Sequence, residues 1–309
     1  MNVPLPITVV VAVKDEERNI ARCLQAVGSA DRIIVVDSNS KDATANIARA
    51  HHAEVVQFHY TGGYPKKRQW ALNSLHIVTP WVLLLDADEV VPQALWKEIG
   101  DAIQQPAGPN AFFITKGVHF MGRRLRFGGF SYAGVLLFRT GMARFEHLMD
   151  DPVDAQDMEI HERLIVNGAI GRLQTPLIHE DFKGLESYID RHNKYSTWEA
   201  RLRFSLLQTG HYGIDTIEPR LFGNAQERRR FLKTLIIRLP FEQQVWFCYH
   251  YFLRLGFLEG RPGLIASQLR AAHIANVRAK VYELRSRNPN PKDLGFFRYA
   301  SRILQLRSN

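Results

Sequence analysis

Residues 78–89 read Val78-Thr79-Pro80-Trp81-Val82-Leu83-Leu84-Leu85-Asp86-Ala87-Asp88-Glu89. Five large apolar residues, Trp81 to Leu85, run directly into three carboxylates within four positions. A run so short and apolar fits a strand covered on both faces, as in a parallel sheet. Asp86 and Asp88 emerge at its carboxyl end, the edge where open α/β sheets take their ligands. Two carboxylates with one residue between them can share a divalent cation, and a cation held there can grip a diphosphate. Asp-x-Asp is also common in solvated turns. Its place between a buried strand and a helix beginning near Pro92 makes it a site candidate.

Upstream, the same grammar repeats. Ile7–Val13 is a continuous β-branched run and predicts a buried strand. The polar loop Lys14–Arg18 follows, then Asn19 as N-cap of a helix from Ile20 to about Val27. Arg32–Val36 predicts a second strand with Asp37 at its end, and Asp42 can cap a helix over 43–50. Ala53–Phe58 is a third strand, and a helix covers Lys66 to about Leu75. Strand–helix alternation with such short connections implies parallel pairing and right-handed crossovers. The polar groups after Val13, Val36 and Leu85 therefore share one sheet edge and converge on one crevice. Glu89 lies one step past the acidic pair and is expected to matter less than its neighbours.

Beyond the helix at Pro92–Ile103 the alternation stops. Strands are expected at Ala111–Thr115, Val135–Arg139, Ile160–Val166 and Ile178–Glu180, with a Gly- and Arg-rich loop over Met121–Phe130. The fold class is α/β, a mixed sheet flanked by helices. No Gly-x-Gly-x-x-Gly follows the first strand and no Walker A sequence occurs. From Gly184 onward helical patterns dominate, at Leu185–Leu207 and Leu264–Leu284. The two regions are drawn as residues 1–183 and 184–309.

The 309-residue chain is 46% hydrophobic and 23% charged, ordinary for a protein with a sizeable core. Its net charge of +9 is uneven. Residues 186–309 hold 21 Lys and Arg against 10 Asp and Glu, whereas residues 1–185 hold 19 against 21. The basic half suggests an anionic partner: nucleic acid, anionic lipid or phosphorylated glycan. Residues 231–258 are rich in aromatic and aliphatic side chains, but charges and Pro240 interrupt any run of about 20 apolar residues, so no membrane span is expected. These side chains either lie in a membrane interface or pack as core. Cys23 and Cys248 are expected to be buried thiols, which fits a reducing compartment. The first strand is reached with no secretory pattern before it.

The segments VVVAVKDEERNI (9–20), IIVVDSNSKDAT (33–44) and VLLLDADEVVP (82–92), with the basic start of the 66–75 helix, resemble the family 2 inverting glycosyltransferases of GT-A fold. Ile160-His161-Glu162-Arg163, Ile178-His179 and Gly256–Gly263 are similar to the bacterial lipopolysaccharide-core and exopolysaccharide β-glucosyltransferases.

The resemblance implies transfer of a hexose, glucose in particular, from a UDP-sugar to a hydroxyl of a lipid-linked or lipopolysaccharide glycan. It implies Mg²⁺ or Mn²⁺ as cofactor and a cytoplasmic chain peripheral on an anionic membrane surface. Residue by residue, Asp37 would accept the uracil N–H, and Ala12, Val13 and Glu16 would line the nucleoside pocket. Arg68, with Lys66 or Lys67, would face the diphosphate. Asp86, Ala87 and Asp88 would meet the nucleotide-sugar, with Asp86, Asp88 and His179 as metal ligands. Glu162 would be the base for the acceptor hydroxyl, with Asp157, Glu159 and Asp181 as rivals. The Gly128-Gly129 pair would let backbone approach the sugar. Two readings compete: a nucleic-acid-binding α/β protein using the basic half, and a non-catalytic sugar-nucleotide binder. Against the first, the basic residues are spread through helices rather than forming a reading motif, so no nucleic-acid partner is expected. The intact Asp86-Ala87-Asp88 and Glu162 argue against the second.

Overall fold

Val9 and Val11 point to one side of their strand and Val10 to the other, yet all three are buried, so apolar layers cover both faces. A computed structural model describes residues 4–105, 107–150, 156–160, 162–237 and 239–287. In it β1 (Leu5–Val13), β2 (Ala30–Asp37), β3 (Glu54–Gln57) and β4 (Trp81–Asp86) are parallel neighbours in the order β3-β2-β1-β4. Helices α1 (Ile20–Gln25), α2 (Thr44–Ala50), α3 (Lys67–Ser74) and α4 (Gln93–Ile103) cover this side of the sheet. Ile20, Leu24, Leu95 and Ile99 join Val9, Val11, Leu83 and Leu85 in one core layer; Ala71 joins Val10, Val82 and Leu84 in the other.

The second half of the sheet is mixed. It adds β5 (Glu89–Val90), β6 (Ala111–Phe120), β7 (Arg123–Arg124) and β8 (Tyr132–Arg139). β9 (Ala143–Phe145) and β10 (Leu164–Val166) form a separate antiparallel pair, and β11 (Ile170–Arg172) and β12 (Leu177–His179) complete the strands. β8 runs antiparallel to β4, β6 antiparallel to β8, β12 parallel to β6, and β5 antiparallel to β12. This is the α/β mixed sheet expected from the sequence.

The helical extension comprises α5 (Gly184–Thr209), α6 (Ala225–Ile236), α7 (Glu242–Cys248) and α8 (Gly260–Arg287), with a π-helical turn at Tyr249–Leu253 and a 3₁₀ turn at Gly256–Glu259. Ala200 of α5 packs on Val277 and Val281 of α8. Glu199 and Arg203 of α5, Glu242 of α7 and His273 of α8 form a buried ionic network, Arg203 lying 2.9 Å from Glu199 and 2.7 Å from Glu242. Each charge there has a counter-charge, which offsets its desolvation.

Several local expectations are corrected. The strand expected over 160–166 is confined to Leu164–Val166, because the Ile160 N–H donates to the Glu162 carboxylate at 2.9 Å. Asn19 stands at the start of α1 without a side-chain cap; its amide donates to Glu16 and Asp181 and accepts from the Phe182 N–H. Cys23 is buried, but Cys248, on α7, is exposed. His161 and residues 288–309 lie outside the described residues.

Candidate active site

Pair register sets the position of the polar groups. Val13 lies opposite Asp37, and Ala12 opposite Asp86, so all of them reach one sheet edge at one level. The loops after β1 and β2 are latched together there: Lys41 N–H donates to Asp15 at 2.8 Å, Glu17 N–H to Asp42 at 3.1 Å, and Ala43 N–H to Glu17 at 3.1 Å. A cavity of ≈2460 Å³ opens over this edge. Ala12, Glu16, Lys67, Arg68, Asp86, Ala87, Asp88, Glu162 and His179 line it.

Val13 and Asp37 are not on its wall. Asp37 is only 1% exposed. Its Oδ1 accepts from the Ser40 N–H at 3.0 Å and the Ser40 hydroxyl at 2.5 Å, and its Oδ2 from Gln57 Nε2 at 3.0 Å. A carboxylate offers about four lone pairs, so one on Oδ2 stays open to a further donor. Lys67 is committed to the protein: Nζ donates to the Val13 carbonyl at 2.7 Å and lies 3.1 Å from Asp157. Burial pushes its pKa below the usual lysine value, against the pull of Asp157. Glu16 accepts from Lys183 at 2.6 Å, and burial raises its carboxyl pKa despite that contact.

The acidic pair divides into two roles. Asp86 is clamped by cations, Arg68 Nη2 on one oxygen and Lys116 Nζ at 2.9 Å on the other. Burial alone would raise its pKa; Arg68 and Lys116 outweigh burial and hold it well below the carboxylate range. Asp88 has no such clamp. Burial, with Asp86 and Glu89 nearby, lifts its carboxyl to about 6, although His179 pulls the other way. His179 arrives through strand pairing: β12 places it opposite Glu89 of β5. Its Nδ1 is 3.4 Å from Asp88 Oδ1 and 3.5 Å from Glu89 Oε1. Burial would depress the imidazole pKa, but Asp88 and Glu89 outweigh it and raise it.

Ligand atoms of Asp88, Glu89 and His179 all lie within 4.8 Å of one another. Asp88 Oδ1 and His179 Nδ1 are buried without a hydrogen-bond partner. Buried polar atoms are normally satisfied, so this pair is poised for something they both bind. Two carboxylates and an imidazole suit a hard or borderline divalent cation such as Mg²⁺ or Mn²⁺. Glu89, expected to lie past the site, is thus inside it and fully buried. It also accepts the Asp86 N–H at 3.0 Å and pairs with Lys116.

Glu162 lines the cavity beside Lys66, whose Nζ is 3.2 Å away, both side chains being nearly buried. Of its rivals, Glu159 caps α3, accepting from the Arg68 and Gln69 N–H groups at 3.1 and 2.9 Å. Asp181 is held by Asn19, Arg191 and the Lys183 N–H, and Asp157 lies against Lys67.

Lys116 is the site residue that sequence reasoning missed. It is buried, and Asp86 and Glu89 raise its pKa well above the usual lysine value despite the opposing effect of burial. The signal was a lone lysine directly after the apolar run Ala111–Thr115; the expected strand stopped one residue short of it.

The mixed sheet, the large cavity at its carboxyl edge and the acidic trio agree with the GT-A fold expected from the sequence. A sequence model of Glycosyl transferase family 2 matches residues 8–153. The lipopolysaccharide core biosynthesis glycosyltransferase LpsC of Rhizobium meliloti is 23% identical over 287 residues, covering 87% of this chain and 92% of that protein. The mannosyltransferase PcManGT of Pyrobaculum calidifontis, solved with GDP-Man and Mn²⁺, is 14% identical with a TM-score of 0.47, over 91% of this chain and 89% of that one. Glucosyl-3-phosphoglycerate synthase of Mycobacterium tuberculosis, solved with Mn²⁺, UDP-glucose and glycerol 3-phosphate, is 23% identical with a TM-score of 0.30 over 38% of this chain. The match spans 45% of that synthase, less than half its length. Residues 8–153 thus carry family 2 glycosyltransferase sequence, and the chain is a glycosyltransferase.

Proposed function

We propose that this glycosyltransferase moves a hexose, glucose first among candidates, from a UDP-sugar to a hydroxyl of a lipid-linked or lipopolysaccharide-type glycan, with inversion and with Mg²⁺ or Mn²⁺. The observation that carries this reading is the Asp88–Glu89–His179 trio, with Asp88 Oδ1 and His179 Nδ1 unsatisfied, at the carboxyl edge of the sheet that carries the family 2 sequence. Such a cation, when bound, stabilises charge on the departing diphosphate. Asp88 and His179 are its proposed ligands, with Glu89 beneath them. Asp86 stays in the site as the partner that fixes Arg68 and Lys116.

The open lone pair of Asp37 would accept the uracil N–H, with Ala12, Val13 and Glu16 around the nucleoside. The pocket must then open slightly, because Asp37 is covered in this state. Arg68 would turn from Asp86 toward the diphosphate, where a guanidinium makes charge-assisted bonds; Lys67 acts behind it by holding the end of β1. Ala87 would pass under the donor sugar. Glu162 takes the acceptor hydroxyl proton as that oxygen attacks the anomeric carbon opposite UDP. Lys66 beside it orients the carboxylate.

Residues 1–183 would form the donor unit and residues 184–309 the acceptor and membrane side. Leu235, Phe241, Phe252, Leu253, Phe257 and Leu258 are exposed within the basic half. Among the described residues no helix is long and apolar enough to cross a membrane. Exposed apolar side chains among arginines suit an anionic bilayer surface. The lipopolysaccharide-related name of the LpsC relative agrees with such an acceptor.

A panel of nucleotide sugars with Mn²⁺ tests the reading. UDP-glucose should give slow hydrolysis and the largest thermal stabilisation. Stabilisation by a guanosine or cytidine donor but no uridine donor would contradict the assignment.

A further inference from the structure

The donor reading uses only one end of the cavity. Sheet order puts Asp37 on β2 and Val13 on β1, to one side of Asp86 on β4, whereas β8 and β6 lie on the other side. The cavity continues past Lys116 to the loop before β8 and the helices beyond it, where its lining includes Arg229, Trp246, Tyr249, His250, Arg254 and Arg270.

The cations at this end of the cavity differ from the buried and half-buried arginines that anchor the helices. Arg203, Arg230 and Arg278 each face a carboxylate. Among the described residues Arg229, Arg254 and Arg270 have none. Arg229 donates instead to the Ala133 carbonyl at 2.9 Å. Burial and the like charges of Arg172 and Arg254 push its pKa down, so these guanidinium groups repel one another. The Arg254 side chain lies across Gly129: a Cβ there would come within 3.0 Å of Nε. The Arg270 guanidinium stands 5.5 Å from the Trp246 ring.

A second observation points to a ligand at the same place. His250 stacks between Phe130 and Trp246, at 5.1 and 5.5 Å. Its Nδ1 lies 2.6 Å from the Gly128 carbonyl, which makes Nδ1 the donor and leaves a lone pair on Nε2. Nε2 is buried with no partner. Like charges held together without acids, beside an aromatic platform and an unused acceptor, make a receptor for an anion carried on a hydroxyl-rich group.

We infer that Arg229, Arg254 and Arg270, with Trp246, Tyr249 and His250, form an acceptor subsite for a sugar bearing a phosphate or another compact anion. This rests on the donor reading only for its name: the subsite holds the acceptor's anion while Glu162 meets its hydroxyl. The Gly128-Gly129 turn is then a brace between donor and acceptor ends. The Gly128 N–H donates to the Arg254 carbonyl at 2.7 Å, and Glu259 accepts from the Arg126 and Phe127 N–H groups at 2.5 and 2.7 Å.

The test uses the full chain, with and without UDP and Mn²⁺, and glucose 6-phosphate, glucose and inorganic phosphate as probes. Glucose 6-phosphate should bind at least about 10-fold more tightly than glucose, as one or two charge-assisted hydrogen bonds provide. Arg254→Ala and Arg270→Ala should each remove that preference while the Kd for UDP stays unchanged, which shows the fold is intact. Arg229→Gln is the second variant if either fails to fold. Equal binding of glucose and glucose 6-phosphate overturns the subsite. Inorganic phosphate binding as tightly as the sugar phosphate overturns its sugar component. Loss confined to binding of phosphatidylglycerol vesicles overturns it in favour of a lipid headgroup contact. Failure of UDP to bind the wild type would sink the donor reading and leave the sugar-phosphate result to stand by itself.

Discussion

The carboxyl edge of the sheet and the helical extension are opposites in chemistry and in finish. At the edge, charges are buried and nearly all are answered: Asp86 by Arg68 and Lys116, Glu16 by Lys183, Lys67 by Asp157. Within the acidic trio, Asp88 Oδ1 and His179 Nδ1 are buried without a hydrogen-bond partner. In the extension, apolar side chains are exposed, Phe241 by 66% and Leu253 by 77%, and the arginines that line the cavity there, Arg229, Arg254 and Arg270, face no carboxylate among the described residues. The edge is preorganised for a small ligand that completes a nearly saturated network. The extension is a surface suited to something larger that covers it. The proposed reaction asks for both, since a UDP-sugar is small and polar and a lipid-linked glycan is large.

This contrast can be broken at its sharpest point first. Asp88→Ala should lower transfer by about 10³-fold or more, as loss of a ligand to a catalytic cation does, read as UDP release with Mn²⁺ and acceptor. Undiminished turnover would remove the metal role of Asp88. Glu162→Gln should cost about 10²-fold to 10⁴-fold in kcat, the usual worth of general-base catalysis, with UDP-sugar affinity kept. Retained turnover would move the base to Asp157, Glu159 or Asp181.

Stability separates the two regions next. Leu83 is fully buried under the edge, and Leu83→Ala should destabilise the fold by about 2–5 kcal/mol in urea denaturation. Leu253→Ser should stay within about 0.5 kcal/mol of wild type, as exposed sites do, yet weaken cosedimentation with anionic vesicles. Equal destabilisation by both changes would mean that Leu253 is core in solution.

The smallest effect concerns pH. Asp88 must lose its proton, and His179 must be neutral, before either can hold a cation. Both pKa values are raised, Asp88 to about 6, so Mn²⁺ affinity should climb as pH rises through 6 and fall below it. Each proton released per ion corresponds to a change of about 10-fold per pH unit below the pKa of its group, so the slope steepens where both groups are protonated. Mn²⁺ affinity that is flat between pH 5 and 7.5 would mean that neither group titrates on binding.

The parallel half was legible because its signal is local. Ile7–Val13 and Trp81–Leu85 announce themselves as apolar runs, and strand–helix alternation alone brings Asp37 and Asp86 to a common edge. Glu89 was misjudged because its position depends on a two-residue strand paired with β12, some ninety residues later in the chain. No local pattern encodes that pairing. Lys116 was hidden for a related reason: a strand reading stops at the first charge, although a buried lysine between two carboxylates continues the strand. Asn19 shows the same limit at a helix start, where tertiary partners took the side chain from its cap. In the extension, composition correctly marked residues 231–258 as unusual but could not separate exposed from buried aromatics. Pro240 and the π-helical turn at Tyr249–Leu253 break the segment into short pieces whose faces no single period describes.

In the proposed site Asp88 and His179 are the groups left to hold a cation. Titrating Mn²⁺ into the protein with UDP present, followed by electron paramagnetic resonance, tests this most directly. One equivalent should bind to wild type, with binding lost in Asp88→Asn and weakened in His179→Ala, while UDP still binds both variants. Unchanged Mn²⁺ binding in Asp88→Asn and His179→Ala would contradict the account.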